Sequence, residues 1–176
     1  MALVVFLRGV NVGGYRTLRP TRLATQLKHL GAVNIGAAGT FIIRQPVGRT
    51  QLRTEFTRRL PFNVEITICP GRDILKMLSC NVFSGSPARP DVIRFVSVLF
   101  QVPRGSPTTP MRFPPTGKWL LKILARQNRF VFGVYRRDMK VIGYLETLDR
   151  VFGVPVTTRN WNTISAIAKA LEHGAD

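Results

Sequence analysis

Val33-Asn34-Ile35-Gly36-Ala37-Ala38-Gly39-Thr40-Phe41-Ile42-Ile43-Arg44 decides the reading of the fold. Apolar and β-branched residues fill two short runs, Val33 to Ala38 and Thr40 to Arg44, which turn about Gly39 and so read as two consecutive strands. A helix flanks them on each side. Upstream, Leu23, Leu27 and Leu30 recur at helical spacing between Pro20, near the first turn, and Gly31 at the end. Downstream, Gln45-Pro46-Val47-Gly48 breaks the pattern before Leu52, Phe56 and Leu60 repeat every four residues. Outside the first helix lies the apolar run Ala2 to Leu7. Outside the second, Val64, Ile66 and Ile68 alternate with Glu65 and Thr67, the pattern of a strand with one buried face. The resulting order β-α-β-β-α-β is the ferredoxin-like split arrangement.

Pro70-Gly71 closes that unit, and Arg72 to Leu78 reads as a short third helix. Gly85 to Pro90 has the composition of a linker, so the expected organisation is residues 1–84, a linker at 85–90, and a second α+β half at 91–176. In that half Val92 to Phe100, Trp119 to Leu124 and Phe130 to Tyr135 read as strands. Pro103 to Gly117 carries five of the chain's twelve prolines and is expected to be a surface excursion that does not pair centrally in a sheet. The chain then reads helix, extended piece, helix. Ile142, Leu145, Leu148 and Phe152 share one helical face, and Ile164, Ile167, Ala168 and Leu171 share another.

The longest apolar runs, such as Val96 to Phe100, are too short to span a bilayer. Met1 to Leu7 lacks the basic leader and small-residue cleavage site of a signal peptide. A soluble, cytoplasmic protein without membrane attachment is the expectation. Cys69 and Cys80 form no Cys-x-x-Cys pair, which argues against a thiol zinc site or a disulfide framework and leaves a single bridge between them as the alternative.

Charge is the outstanding feature of the composition. The chain has 26 Lys plus Arg against 9 Asp plus Glu, a formal charge of +17, and 20 of the bases are arginine. Guanidinium forks suit phosphate because they donate two parallel hydrogen bonds. Codon bias in G+C-rich genomes also raises arginine, but it does not remove acids. Arg49, Arg53, Arg58 and Arg59 line the second helix, and Arg126, Arg129, Arg136 and Arg137 bracket the strand Phe130 to Tyr135. Phe130, Phe132 and Tyr135 interleave with the second group, as aromatics do on base-stacking sheets. The competing reading turns those aromatics into the core on the face opposite the arginines.

Two short segments invite a ligand. After the first strand, Leu7-Arg8-Gly9-Val10-Asn11-Val12-Gly13-Gly14 offers backbone N–H groups at Gly13 and Gly14 and a cation at Arg8, without the spacing of a phosphate loop or a dinucleotide fingerprint. The plainer reading is a tight strand-to-helix connection in which Asn11 bonds its own backbone. Ahead of the last helix, Thr157-Thr158-Arg159-Asn160-Trp161-Asn162-Thr163 has Asn160 or Asn162 as a helix cap, Arg159 as an anion partner, and Trp161 either as a stacking surface or packed under the helix.

Both segments resemble the signature stretches of the domain-of-unknown-function 1697 family, whose members open with a Leu-Arg-Gly-hydrophobic-Asn-Val-Gly-Gly loop. Asn81-Val82-Phe83 resembles the family's Asn-Pro-Phe. The resemblance implies an α+β fold and no established activity. It departs at Ala38-Gly39-Thr40, where relatives carry Ser-Gly-Asn, and at Asp138-Met139-Lys140, near the place of an expected Ser-Lys-Leu.

No catalytic or metal constellation is evident. His29 and His173 are far apart in sequence, Glu146 and Asp149 read as a solvated helix face, and neither cysteine has a basic neighbour. The expectation is a non-catalytic binder of nucleic acid, RNA or a ribonucleoprotein, with RNA before DNA, or of another polyanion, with no cofactor. The alternative is an enzyme or binding protein holding a small phosphorylated or carboxylated ligand through Arg8, Asn11, Gly13 and Gly14 and through Thr158, Arg159, Asn160, Trp161 and Asn162. A basic surface that docks on an acidic protein is a third.

Overall fold

The computed structural model describes residues 1–86 and 88–174. The chain divides into two compact units, Met1–Lys76 with Asn162–Asp176, and Met77–Trp161. This differs from the expected division at 85–90: residues 77–84 group with the second unit, and all but the first residue of the last helix with the first. Pro87, within the expected linker, lies outside the described residues.

In the first unit the elements follow the expected order: β1 (Leu3–Leu7), α1 (Pro20–Gln26), β2 (Ala32–Ile35), β3 (Thr40–Ile43), α2 (Arg49–Arg59) and β4 (Ile66–Pro70). The sheet runs β2-β3-β1-β4 with every neighbouring pair antiparallel. β3 thus inserts between β1 and β2, which run parallel to one another. Pro20 opens α1, while Gly31, at φ 62°, ends the 3-10 turn that follows it. Leu52 and Phe56 put one face of α2 into the core, where the Phe56 ring meets Phe41 edge-on at 5.3 Å. Val5, Leu7, Leu23, Leu27 and Ile43 fill the same cluster.

One sequence expectation fails here. Thr67 does not face water: it is 1% exposed and β4 is buried along its whole length. The alternation of Ile66, Thr67 and Ile68 therefore reports two different buried faces, not a wet and a dry one.

The last helix, α6 (Trp161–Glu172), explains its own grouping. The Arg44 guanidinium donates to the Ala170 carbonyl at 3.2 Å. Gly71 approaches Leu171 so closely that an added Cβ would lie 2.8 Å from its Cδ2. Ile164, Ile167 and Ala168 are buried as their spacing predicts.

The second unit is a five-stranded antiparallel sheet, β6-β7-β8-β5-β9. Its strands are β5 (Val92–Leu99), β6 (Met111–Phe113), β7 (Leu121–Gln127), β8 (Phe130–Arg136) and β9 (Val156–Asn160). The Pro-rich segment is not wholly irregular. Met111–Phe113 pairs with β7 at the sheet's edge, where prolines on either side need not donate to a ladder. The expected helix across Ile142 to Phe152 is two short ones, α4 (Val141–Glu146) and α5 (Leu148–Phe152). Val141, Leu148 and Phe152 pack on the sheet while Ile142 is 43% exposed. The change of axis at Thr147 shifts which residues face inward.

Candidate functional site

The loop after β1 is held open by its own residues. Tyr15 N–H donates to the Val12 carbonyl at 3.0 Å, so Gly13 and Gly14 form a two-residue turn with φ of 57° and 75°. Both central residues at positive φ are what a type I′ hairpin requires, which is why glycine stands at each. Asn11, itself at φ 58°, fastens the base of the loop. Its Nδ2 donates to the Ala37 carbonyl at 2.8 Å and its Oδ1 accepts from Leu18 N–H at 2.7 Å. Asn11 thus bonds backbone, as the plainer reading had it, but seven residues ahead and across to the β2–β3 turn rather than locally. Leu7 N–H donates to the Gly39 carbonyl at 2.8 Å, so the Ala38-Gly39-Thr40 stretch lies against this loop.

Arg8 is ion-paired. Its Nη1 lies 2.8 Å from Glu65 Oε2, and its backbone N–H donates to the Glu65 carbonyl at 3.1 Å. Any anion reaching Arg8 competes with a carboxylate already in place. The pair is partly exposed and contributes at most about 1 kcal/mol, so exchange is not forbidden. An open cleft of about 470 Å³ lies beside it, lined by Arg8, Gly9, Arg16, Asn63 and Glu65.

The second segment needs correction. Thr157, Thr158, Arg159 and Asn160 are not a helix start but strand β9, paired antiparallel with β5, and α6 begins only at Trp161. Thr and β-branched neighbours favour the strand, and the register sets Thr158 opposite Ser97, with their hydroxyl oxygens 2.6 Å apart. Arg159 is 7% exposed and bonds the Thr158 carbonyl at 2.9 Å. Burial lowers its pKa to about 10, which still leaves it charged at neutral pH. It is not a surface clamp. Trp161 packs edge-on against Phe83 at 5.0 Å, which favours the packed reading over the stacking one, while Asn160 and Asn162 are exposed.

The arginine clusters separate by what they already hold. In the second unit Arg129 donates from Nε and Nη2 to the Leu99 carbonyl, at 3.0 and 2.9 Å, and also to the Phe100 carbonyl. Arg136 bonds the Trp119 carbonyl and Asp91, each at 3.0 Å, and lies 4.2 Å from the Trp119 ring centroid. Arg137 bonds the Pro90 carbonyl at 3.0 Å, and Arg126 bonds Ser106 at 2.9 Å and the Asn128 carbonyl. These four close strand ends and loops. The stacking face expected beside them is absent: Phe130 and Phe132 are 3% and 0% exposed, and burial raises the Tyr135 pKa despite the opposing pull of Arg137. Phe130 and Phe132 lie on β8, which is buried at every position from Phe130 to Val134.

On α2, Arg53 bonds the Ile66 carbonyl at 2.6 Å and Arg59 bonds Glu55 at 2.6 Å. Arg49 and Arg58 differ. Among the described residues their guanidiniums have no hydrogen bond or ion pair, and neither do those of Arg19 and Arg22. The Arg16 guanidinium touches only the exposed Tyr15 ring, 5.5 Å from its centroid. A cleft of about 390 Å³ opens at Arg19 and Arg22, bounded also by Thr17, Leu18, Gln26, Arg59 and Pro61. Sequence reasoning passed over it: Arg19 is the extended residue just ahead of α1 and Arg22 lies in the first turn of that helix, so no helical spacing links them.

Among the described residues no three His, Cys, Asp or Glu side chains gather as a metal site. His29 Nε2 lies 3.5 Å from Glu55 Oε2, and Cys69 and Cys80 are not joined in a disulfide. No helix of the described residues is long and apolar enough to cross a membrane.

No family model matches the chain, and no curated protein matches it. A solved structure of a conserved bacterial protein from Streptococcus pneumoniae aligns with 97% of this chain and 98% of that one, at a TM-score of 0.59 and 13% identity. The chain therefore shares with that protein a mixed α+β fold.

Proposed function

We propose that the protein is a non-catalytic binder of nucleic acid, RNA in preference to DNA, acting through distributed guanidiniums. The observation that carries the reading is that the guanidiniums of Arg16, Arg19, Arg22, Arg49 and Arg58 make no hydrogen bond or ion pair among the described residues, in a protein with a formal charge of +17. Guanidiniums held neither by carboxylates nor by carbonyls keep their donors for phosphate oxygens, and their counterions are released on binding. We also take the first unit as ferredoxin-like on its strand order, and the chain as a relative of the domain-of-unknown-function 1697 family. The family assignment rests on the Leu7 to Gly14 and Thr157 to Thr163 motifs, with Asn81-Val82-Phe83 between them. The small-ligand alternative is less favoured, because Arg8 is paired to Glu65 and Arg159 is buried.

The test is fluorescence anisotropy with labelled RNA and DNA over a salt series. The expected result is affinity that grows with oligonucleotide length and falls steeply and log-linearly with salt. Salt-indifferent binding, or none at physiological salt, would refute the proposal.

A further inference from the structure

The cleft of about 390 Å³ beside α1 has both chemistries a nucleotide presents. Arg19 and Arg22 are exposed at its rim, their guanidiniums with no hydrogen bond or ion pair among the described residues. Arg59 adds a third guanidinium, held from one side by Glu55 at 2.6 Å. Its remaining wall is apolar, from Leu18 and Pro61, with the exposed Gln26 carboxamide beside it. A bare phosphate needs no apolar wall, and a purely greasy ligand needs no arginines. A base or ribose against Leu18 and Pro61, with its flanking phosphates on Arg19 and Arg22, meets both and fits the usual size of a ligand site.

We propose that this cleft is a nucleotide subsite for single-stranded nucleic acid: it takes one unpaired nucleotide, and Arg19 and Arg22 hold the phosphates on either side. The inference rests on the nucleic-acid reading above and adds strand preference to it. Bases in a duplex are stacked on one another and cannot enter a side cleft without unstacking, so a duplex reaches only the rim arginines. Gln26 offers one donor and one acceptor edge, enough to bias the base without specifying it.

The experiment compares two double variants of equal charge, Arg19→Gln with Arg22→Gln, and Arg49→Gln with Arg58→Gln. Each is titrated with labelled single-stranded RNA and with the matching duplex. None of the four guanidiniums makes a bond among the described residues, so both variants should keep the wild-type circular dichroism spectrum and melting temperature. The expected result is at least about a tenfold loss for the cleft pair on single strands, with a salt slope shallower by about 1.4 from two lost phosphate contacts. The loss on duplex should be smaller, and the Arg49 and Arg58 pair should lose less and equally on both ligands. Equal losses from the two pairs on both ligands would overturn the subsite and leave the polyanion reading standing. Failure of the wild-type protein to bind either ligand would overturn both.

Discussion

Two residues illustrate how close packing constrains this chain one atom at a time. An added Cβ at Gly133 would lie 2.4 Å from the Phe95 ring and 2.5 Å from the Lys122 carbonyl oxygen, both inside the sheet. Neither can retreat, because β7 and β5 flank β8 on its two sides. Gly133→Ala should therefore destabilise the protein by about 1–3 kcal/mol, read as a lower denaturant midpoint, the usual size of an overpacking penalty. At Asn11 the issue is polar rather than steric. Asn11→Ala removes a donor to Ala37 and an acceptor for Leu18, and it also places alanine at φ 58°. A loss of about 2 kcal/mol is expected. Asn11→Gly separates the two causes, since glycine relieves the φ strain and restores neither bond; it should recover part of the loss and no more.

At the level of elements, amphipathic spacing located the helices and the tertiary partners decided the strands. Leu52 and Phe56 alone anchor α2 by buried side chains, the second against Phe41, so Phe56→Ala should cost about 3–5 kcal/mol and lower the thermal midpoint accordingly. The segment Thr157 to Asn160 shows where local reading fails. Asparagine and threonine before an amphipathic run look like a helix cap, yet the open edge of β5 offers this segment a full ladder of backbone bonds from Phe95 to Leu99. Threonine suits that strand at least as well as the cap, and the ladder wins. Likewise alternation along β8 sets Phe130 and Phe132 on one face and Tyr135 on the other without saying what covers either, and cover is what separates a stacking platform from a core.

For the whole molecule, the charge read from composition proves to be of two kinds. Arg129 and Arg136 are bonded to carbonyls at strand ends, whereas the guanidiniums of Arg49 and Arg58 are not bonded within the described chain. Arg129→Gln should thus lower stability by about 1–3 kcal/mol, because the Leu99 and Phe100 carbonyls lose charged donors, and should leave the salt slope of RNA binding nearly unchanged. By its periodicity alone the sequence determined the βαββαβ order of the first unit, the helices at Pro20, Arg49 and Trp161 to within a few residues, and a strong positive charge, since these depend on neighbours three or four positions apart or on simple composition. Tertiary structure alone decided that Arg8 meets Glu65, 57 residues away, that Arg159 is buried in a strand, and that Arg19 and Arg22 border an open cleft. The physical reason is that a guanidinium is claimed by whichever carbonyl or carboxylate folding brings within about 3 Å, and that distance is set by chain crossings that no local pattern records.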